Sequence, residues 1–429
     1  MRLLAGNILA LLIFAVAASH ARSEQPAAPP NVVLILSDDQ AWTDFGFMGH
    51  DTIETPRIDR LASESAVFPN GYVPTSLCRA SLASIVTGLY PHQHRITSND
   101  PPDGVDRAKM LPLMEKAPAL PRVLASAGYR SLQTGKWWEG RYENGGFTDG
   151  MTVSGRHGEQ GLAIGRKTMQ PIADFLDKFA GPSAGKPFFL WYAPMMPHEP
   201  HNPPPRLLKK YQTEGRHERL AKYYAMCQWF DETVGTLLDE LDRRKLADNT
   251  LVIFCADNGW IQDTTSDKRG GLYAPKSKRS PYDGGLRTPV LIRWPGHVKT
   301  GKYDDLVSTI DFAPTVLAAA GIKKPPADLP GMSLLDTAAG KGPLTRDAVF
   351  GEVFEHTAID IDSPSKNLLY RWVRAKNWKL IVPVNESPER PAELYDLVAD
   401  PHEETNLAAE HPDRVAALRG RLDAWWPGK

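Results

Sequence analysis

The 429-residue sequence predicts an α/β fold: a mostly parallel central sheet with helices on both faces, followed by a smaller α+β domain at the carboxyl end. Three observations lead there. Short apolar runs alternate with helical patterns as far as residue 320; four of those runs stop abruptly at polar or ionisable residues; and beyond residue 345 strand-like runs follow one another without helices between them.

Residues 1–21 read as a secretory signal, with Arg2 as the positive end, Ile8 to Ala18 as the apolar run and Ser19-His20-Ala21 as a small-residue cleavage site. That run is shorter than the roughly 20 apolar residues a membrane helix needs, so a periplasmic or secreted protein with no membrane partner is expected. Residues 22–30, rich in proline and alanine, form a flexible lead-in.

Asn31 to Leu36 is almost wholly apolar and ends in Ser37-Asp38-Asp39, which suits a strand covered on both faces. The shape recurs at Arg130 to Gln133, leading to Gly135-Lys136; at Phe188 to Tyr192, leading to Pro197-His198; and at Leu251 to Cys255, leading to Asp257-Asn258. Helical patterns occupy Thr55 to Glu64, Ser81 to Val86, Pro121 to Ala127, Thr168 to Lys178, Leu220 to Asp242 and Ile310 to Ala320. These place a catalytic domain at 31–344, closed by a proline- and glycine-rich connection from Ile322 to Arg346. The domain at 345–429 has strands at Ala348 to Phe354, Leu368 to Arg374, Trp378 to Val382 and Glu393 to Leu397, and a helix from Pro412 to Trp425.

A net charge of -1 gives no electrostatic reason to expect nucleic acid as a partner. Three cysteines are too few for a disulfide framework. Cys227, in a helix, and Cys255, in a strand, read as small buried apolar residues. Cys78 differs, because it opens a helical run where thiol pKa values are usually lowered.

In open sheets of this class ligands sit beyond the carboxyl ends of the strands, where all four polar endings fall. Adjacent side chains on a strand point to opposite faces, so Asp38 and Asp39 converge only if the strand ends there. Two such carboxylates suit a hard cation such as calcium or magnesium, or else a helix cap; Asp257-Asn258-Gly259 at a second strand end favours the cation. Lys136 and Lys278, the latter shortly before Asp283-Gly284-Gly285, offer positive charge for an anionic substrate. His198 follows a strand in Pro197-His198-Glu199-Pro200 and can give a proton near neutral pH, or simply bond to backbone. Trp42, Trp137, Trp138, Trp191 and Trp260 lie beside these segments, chiefly as packing.

Taken in order, Leu36-Ser37-Asp38-Asp39-Gln40, the cysteine box ending in Thr87-Gly88, Gly135-Lys136-Trp137, Pro197-His198, Ala256-Asp257-Asn258-Gly259 and Lys278 resemble the type I, formylglycine-dependent sulfatases of the alkaline phosphatase superfamily. Glu393-Leu394-Tyr395-Asp396-Leu397, Asp400-Pro401 and Asn406-Leu407 are similar to that family's closing domain.

The resemblance implies that a formylglycine-generating enzyme oxidises Cys78 to formylglycine (3-oxoalanine). The hydrated aldehyde then attacks sulfur; one hydroxyl displaces the alcohol and the other expels sulfate. It further implies calcium, with magnesium as the lesser alternative, at Asp38, Asp39, Asp257 and Asn258, with residue 78 also facing the ion. Lys136 and Lys278 match sulfate-binding lysines, and His198 the histidine that assists departure of the alcohol. Export and the family together point to a sulfated glycan, or another sulfate ester, as substrate.

Two positions depart from the family pattern: Leu82 stands where an arginine is usual, and Trp138 where a histidine is usual. Arg79, about 60° around the helix from position 82, and Arg156 and His157 are expected substrate-binding substitutes. A phosphate or phosphonate ester hydrolase, and a secreted binding protein without turnover, are the alternative functions.

Overall fold

The computed structural model describes residues 28–180, 186–265, 273–324 and 328–428. The expected signal segment and most of the lead-in lie outside them. Among the described residues no helix is long and apolar enough to cross a membrane.

Nine strands form the main sheet: β1 (Asn31–Ser37), β2 (Ala66–Tyr72), β3 (Arg130–Gly135), β4 (Asp149–Gly150), β5 (Phe188–Ala193), β6 (Thr250–Ala256), β7 (Arg287–Arg293), β8 (Gly301–Lys302) and β9 (Val307–Ser308). Their order is β4-β3-β5-β1-β6-β7-β2-β8, with β9 also on β2. The four apolar runs are the neighbouring parallel strands β3, β5, β1 and β6, so their carboxyl ends share one edge. Covering of both faces is visible in β1 itself. Val32, Leu34 and Leu36 enter one apolar cluster and Val33 and Ile35 the other, as a period of two requires.

Five strands were not expected: β2, β7 and the two-residue β4, β8 and β9. β7 runs antiparallel to both β6 and β2, although Arg287-Thr288-Pro289 reads as the flank of a turn. Pro69 and Pro289 lie where the β2–β7 register shifts, between Phe68 and Gly71. Proline has no N–H for a ladder, and such interruptions hide a strand from its sequence pattern.

The carboxyl-terminal sheet is antiparallel, with β10 (Ala348–Phe354), β11 (Leu368–Ala375), β12 (Trp378–Pro383) and β13 (Glu393–Asp396) in sequence order. Leu418 and Leu422 of the Pro412–Trp425 helix cluster with Val373, Leu380 and Leu394 of this sheet. Val349, Val353, Trp372 and Ile381 cluster instead with Tyr72, Val73 and Leu286, which fastens this unit to the main sheet. The segment read as a connection is partly core: Leu334 and Ala338 are fully buried. Cys227 and Cys255 are buried free thiols, as expected.

The helix Cys78–Thr87 is buried at every residue. His94 supports it from outside. Its Nε2 lies 3.0 Å from Ser84 Oγ, and its Nδ1 accepts the Ile96 N–H at 3.1 Å, so the ring is held neutral with its proton on Nε2. Burial, aided by His92 and Arg79, depresses this imidazole from 6.5 to about 3. A depressed base takes up its proton more readily in the unfolded chain, so the stability it contributes is complete above pH 6.5 and lost as pH falls from there toward 3. The loss is about 2 kcal/mol between pH 6.5 and 5. Urea midpoints at those two pH values should therefore differ less in His94→Gln than in the wild type.

Candidate active site at the carboxyl edge of the sheet

Each strand end delivers one piece of the site. Asp38 and Asp39 follow β1, and Asp39 adopts φ 60, a left-handed conformation rare outside glycine. That turn brings two consecutive carboxylates to one point. Lys136 follows β3 after Gly135, whose φ is +78 and where a Cβ would lie 1.8 Å from the Ala193 carbonyl oxygen, so only glycine fits. His198 lies after β5 between two cis prolyl bonds, Met196–Pro197 and Glu199–Pro200, and the Asp38 N–H donates to Met196 O at 2.9 Å. Asp257 and Asn258 follow β6. Cys78 arrives from the buried helix and Lys278 from the loop before Asp283–Leu286.

The sequence-expected ligands and lysines meet. Lys136 Nζ donates to Asp38 Oδ1 at 2.6 Å and approaches Asp257 Oδ2 at 3.4 Å. Lys278 Nζ donates to Asp39 Oδ2 at 2.6 Å, and Asn258 Nδ2 to Asp39 Oδ1 at 2.6 Å. Cys78 Sγ is 3.2 Å from Asn258 Oδ1. One donor atom from each of Asp38, Asp39, Cys78 and His198 lies within 4.8 Å of the others.

These residues fit a divalent cation. Three buried carboxylates face two ammonium groups, and Asp38 Oδ2 is buried without a hydrogen-bond partner. Burial, with Asp38 beside it, pushes the Asp257 carboxyl up to about 8, so without a cation this group holds a proton near neutral pH, in the place where a cation's charge would serve. Burial also raises Asp39, but Lys278, His198 and Lys136 outweigh it and bring that carboxyl to about 2. Hard oxygen donors with surplus negative charge are what calcium or magnesium requires.

One expectation is overturned here. Cys78 opens a helix, yet its thiol pKa is raised: burial pushes it up to about 12 despite Lys136 and Lys278 nearby. Complete enclosure outweighs the helix terminus.

His198 makes the backbone bond that was one of its two expected roles, and turns its other nitrogen to the cluster. Its Nδ1 is 2.7 Å from Glu199 O, to which it donates, and its Nε2 is 3.4 Å from Asp39 Oδ2. The backbone bond fixes Nε2 as the atom facing the cluster. Burial lowers its pKa.

The three substitutes for the missing arginine and histidine separate. Arg79 is not available to a substrate: it is buried, its Nε and Nη2 donate to Glu139 at 2.8 and 2.7 Å, and Ser98 O and Met110 O take further donors. Helical angle predicted its direction, but not Glu139, which lies on the segment after β3. Removing one partner of a buried pair strands the other, so Glu139→Ala should cost about 3–5 kcal/mol in a urea unfolding titration. Arg156 and His157 do stand near the cluster. The His157 ring is edge-on to Trp138 at 4.4 Å and 6.0 Å from His198, and the Arg156 guanidinium is 4.8 Å from the Trp138 ring centroid. Leu82 is buried in the same apolar cluster as Trp137 and Trp138, so both departures from the family pattern are filled by packed apolar groups. Trp137 and Trp191 pack together with Phe147.

Sequence reasoning missed Asp100 and Arg107. Asp100 receives both Arg107 and Arg156, and His356 Nδ1 lies 3.6 Å from it. Asp100 and Arg107 are seven residues apart, Arg107 at the start of a short 3-10 helix, whereas Arg156 and His356 come from distant segments, and no strand end or local motif marks the group.

An α/β sheet whose parallel strands end in a buried, cation-ready carboxylate cluster, flanked by two lysines, defines a hydrolase-type site for an anionic ester. Residues 30–322 match the sulfatase family model, and 271–424 match the model described as N-sulphoglucosamine sulphohydrolase, C-terminal. The chain therefore belongs to the sulfatase family. It is 30% identical over 364 residues to human N-acetylgalactosamine-6-sulfatase, covering 72% of this chain and 66% of that protein, just under two thirds of it. Human arylsulfatase A is 31% identical over 373 residues, covering 76% and 70%. A solved structure described as a complex with its substrate D-glucosamine-2-N,6-O-disulfate shares the fold, with 22% identity and a TM-score of 0.74, over 93% of this chain and 98% of that one.

Proposed function

We propose that this protein is an exported sulfuric ester hydrolase that removes sulfate from a sulfated carbohydrate, with Cys78 converted to formylglycine and a calcium ion at Asp38, Asp39, Asp257 and Asn258. One observation carries the reading: Lys136 and Lys278 are each paired, at 2.6 Å, to a different member of the Asp38-Asp39 couple, and both are near enough to Cys78 to act on its thiol. A sulfate monoester, tetrahedral at sulfur and carrying one negative charge, meets two ammonium donors and the residue at position 78 together when set between them.

The lysines hold the sulfate oxygens and turn the sulfur toward position 78. Their pKa values rise because neighbouring carboxylates outweigh the effect of burial, so both stay charged throughout the working range. His198, whose ring proton on Nδ1 is committed to Glu199 O, presents a bare Nε2 that takes a proton from the nucleophile and passes it to the departing alcohol oxygen. The buried walls exclude bulk water from the lysine–carboxylate pairs and strengthen them. When bound, a divalent cation at the carboxylates polarises a sulfate oxygen and balances the surplus charge. Formylglycine supplies, as its hydrate, a hydroxyl nucleophile that a buried thiol does not. A formylglycine-generating enzyme is the maturation partner this requires.

The relative named N-acetylgalactosamine-6-sulfatase and the neighbour bound to a disulfated glucosamine favour a sulfated amino sugar over a simple aryl sulfate. Rates on matched aryl sulfate, aryl phosphate and 6-O-sulfated N-acetylhexosamine should rank the sulfates above the phosphate. Dominant phosphatase activity would assign the site to phosphate esters instead. The mass of the peptide bearing Cys78, from active protein, should be that of the aldehyde; an intact thiol there removes the formylglycine mechanism.

A further inference from the structure

The segment that follows β4 brings a second imidazole to the reaction centre. Gly158, with φ +101, seats this segment on the end of β3: a Cβ there would lie 2.8 Å from Gly135 O. The Trp137 N–H donates to His157 O at 2.9 Å, so His157 is tied to the same turn that delivers Lys136. Its ring is half-buried, edge-on to Trp138 at 4.4 Å and 6.0 Å from the ring of His198.

The hydrogen bonding of this ring is set from one side. Asp100 takes Arg156 Nε and Nη2 at 2.7 and 2.6 Å, which leaves Nη1 for His157 Nε2, 2.7 Å away. A guanidinium only donates, so Nε2 accepts and the ring proton sits on Nδ1. Nδ1 itself has no hydrogen-bond partner among the described residues. Burial, with Lys136 and Arg156 adding to it, lowers this imidazole from 6.5 to about 3, so the ring stays neutral and keeps its one N–H.

His198 is arranged the opposite way: its Nδ1–H is spent on Glu199 O and its Nε2 is bare. One ring is therefore a base and the other a fixed donor. A single oxygen making two hydrogen bonds of about 2.9 Å can bridge rings at this separation. We propose that His157 is a second catalytic residue, whose Nδ1–H donates to the alcohol oxygen of the sulfate ester as it leaves. Asp100 and Arg156 are the positioning residues that set its tautomer. As the sulfur–oxygen bond breaks, its electron pair passes to that oxygen, the proton comes from His198 Nε2, and His157 keeps its own. The inference rests on the proposed function above, which places His198 at the leaving oxygen.

A donor of this kind matters more as the leaving oxygen becomes more basic and carries more charge in the transition state. The test is kcat/KM of wild type, His157→Ala and His157→Asn on aryl sulfates of rising phenol pKa, on a sugar sulfate, and on the matching phosphates. His157→Ala should lose about 10–100-fold on the sugar sulfate, the size of one hydrogen bond to a charged group, and no more than about threefold on nitrophenyl sulfate. His157→Asn keeps an N–H close to the position of Nδ1 and should recover part of that loss. A loss equal across the series, or no loss, overturns the role. Nitrogen-15 NMR of the full chain, with the ring assigned by its absence from His157→Asn, should show a protonated Nδ1 and a bare Nε2. The reverse tautomer overturns the inference whatever the rates. A wild type that turns over neither sulfates nor phosphates removes the proposed function and this role with it, whereas turnover with a uniform loss removes the role alone.

Discussion

Replacing Cys78 with alanine is expected to lower kcat/KM on an aryl sulfate by at least ~10³-fold, the scale of losing a covalent nucleophile. The side chain has little else to do. It is 1% exposed, it packs in the main apolar cluster, and among the described residues its sulfur's hydrogen bond is to Asn258 Oδ1, at 3.2 Å. The Lys136–Asp38 and Lys278–Asp39 pairs do not depend on it. Truncation leaves a sulfur-sized gap and costs about 1 kcal/mol of stability. Activity and melting temperature should therefore separate: near-complete loss of the first, a shift of a few degrees in the second. A variant retaining more than about a tenth of wild-type activity would mean that the nucleophile is water or another side chain.

The catalytic edge was legible because parallel strands covered on both faces carry no polar period, so their ends stand out. Asp38, Lys136, His198 and Asp257 all follow such ends, and the order β3-β5-β1-β6 puts those ends side by side. The positive φ of Asp39, which lets two consecutive carboxylates converge, is a backbone state that no residue type there announces. β2 and β7 escaped because Pro69 and Pro289 break their pattern at the point of irregular pairing. The error over Arg79 has a different origin. Periodicity gives the angle of a side chain on its helix but not the partner across the core, and Glu139 took the guanidinium. The Asp100–Arg107–Arg156 group ties one stretch of chain to a distant arginine through a single carboxylate, a relation with no local signature. Similarly, a helix start is visible in sequence, whereas total enclosure of Cys78 is not, and enclosure decides its pKa.

Asp39→Asn should abolish the calcium-induced rise in melting temperature and cut activity at least ~10²-fold. Asp39 is the hub of the cluster: Lys278 Nζ and Asn258 Nδ2 each donate to it at 2.6 Å, and His198 Nε2 lies 3.4 Å away. Its carboxyl is held at about 2, with the pull of Lys278 the largest effect opposing burial. The amide keeps the shape and removes the charge, so a cation loses a ligand and Lys278 loses its ion pair. A buried ammonium without a partner costs about 3–5 kcal/mol, so the metal-free variant should also be less stable than metal-free wild type. Asp38→Asn provides the contrast. It removes an equal charge from the cation site, but Lys136 still faces Asp257 at 3.4 Å. Both variants should therefore lose the calcium shift, read as melting temperature with and without the ion, while only Asp39→Asn loses much stability in chelator. Equal destabilisation of the two metal-free variants would show that Lys278 does not depend on Asp39. A calcium shift persisting in both would place the cation elsewhere.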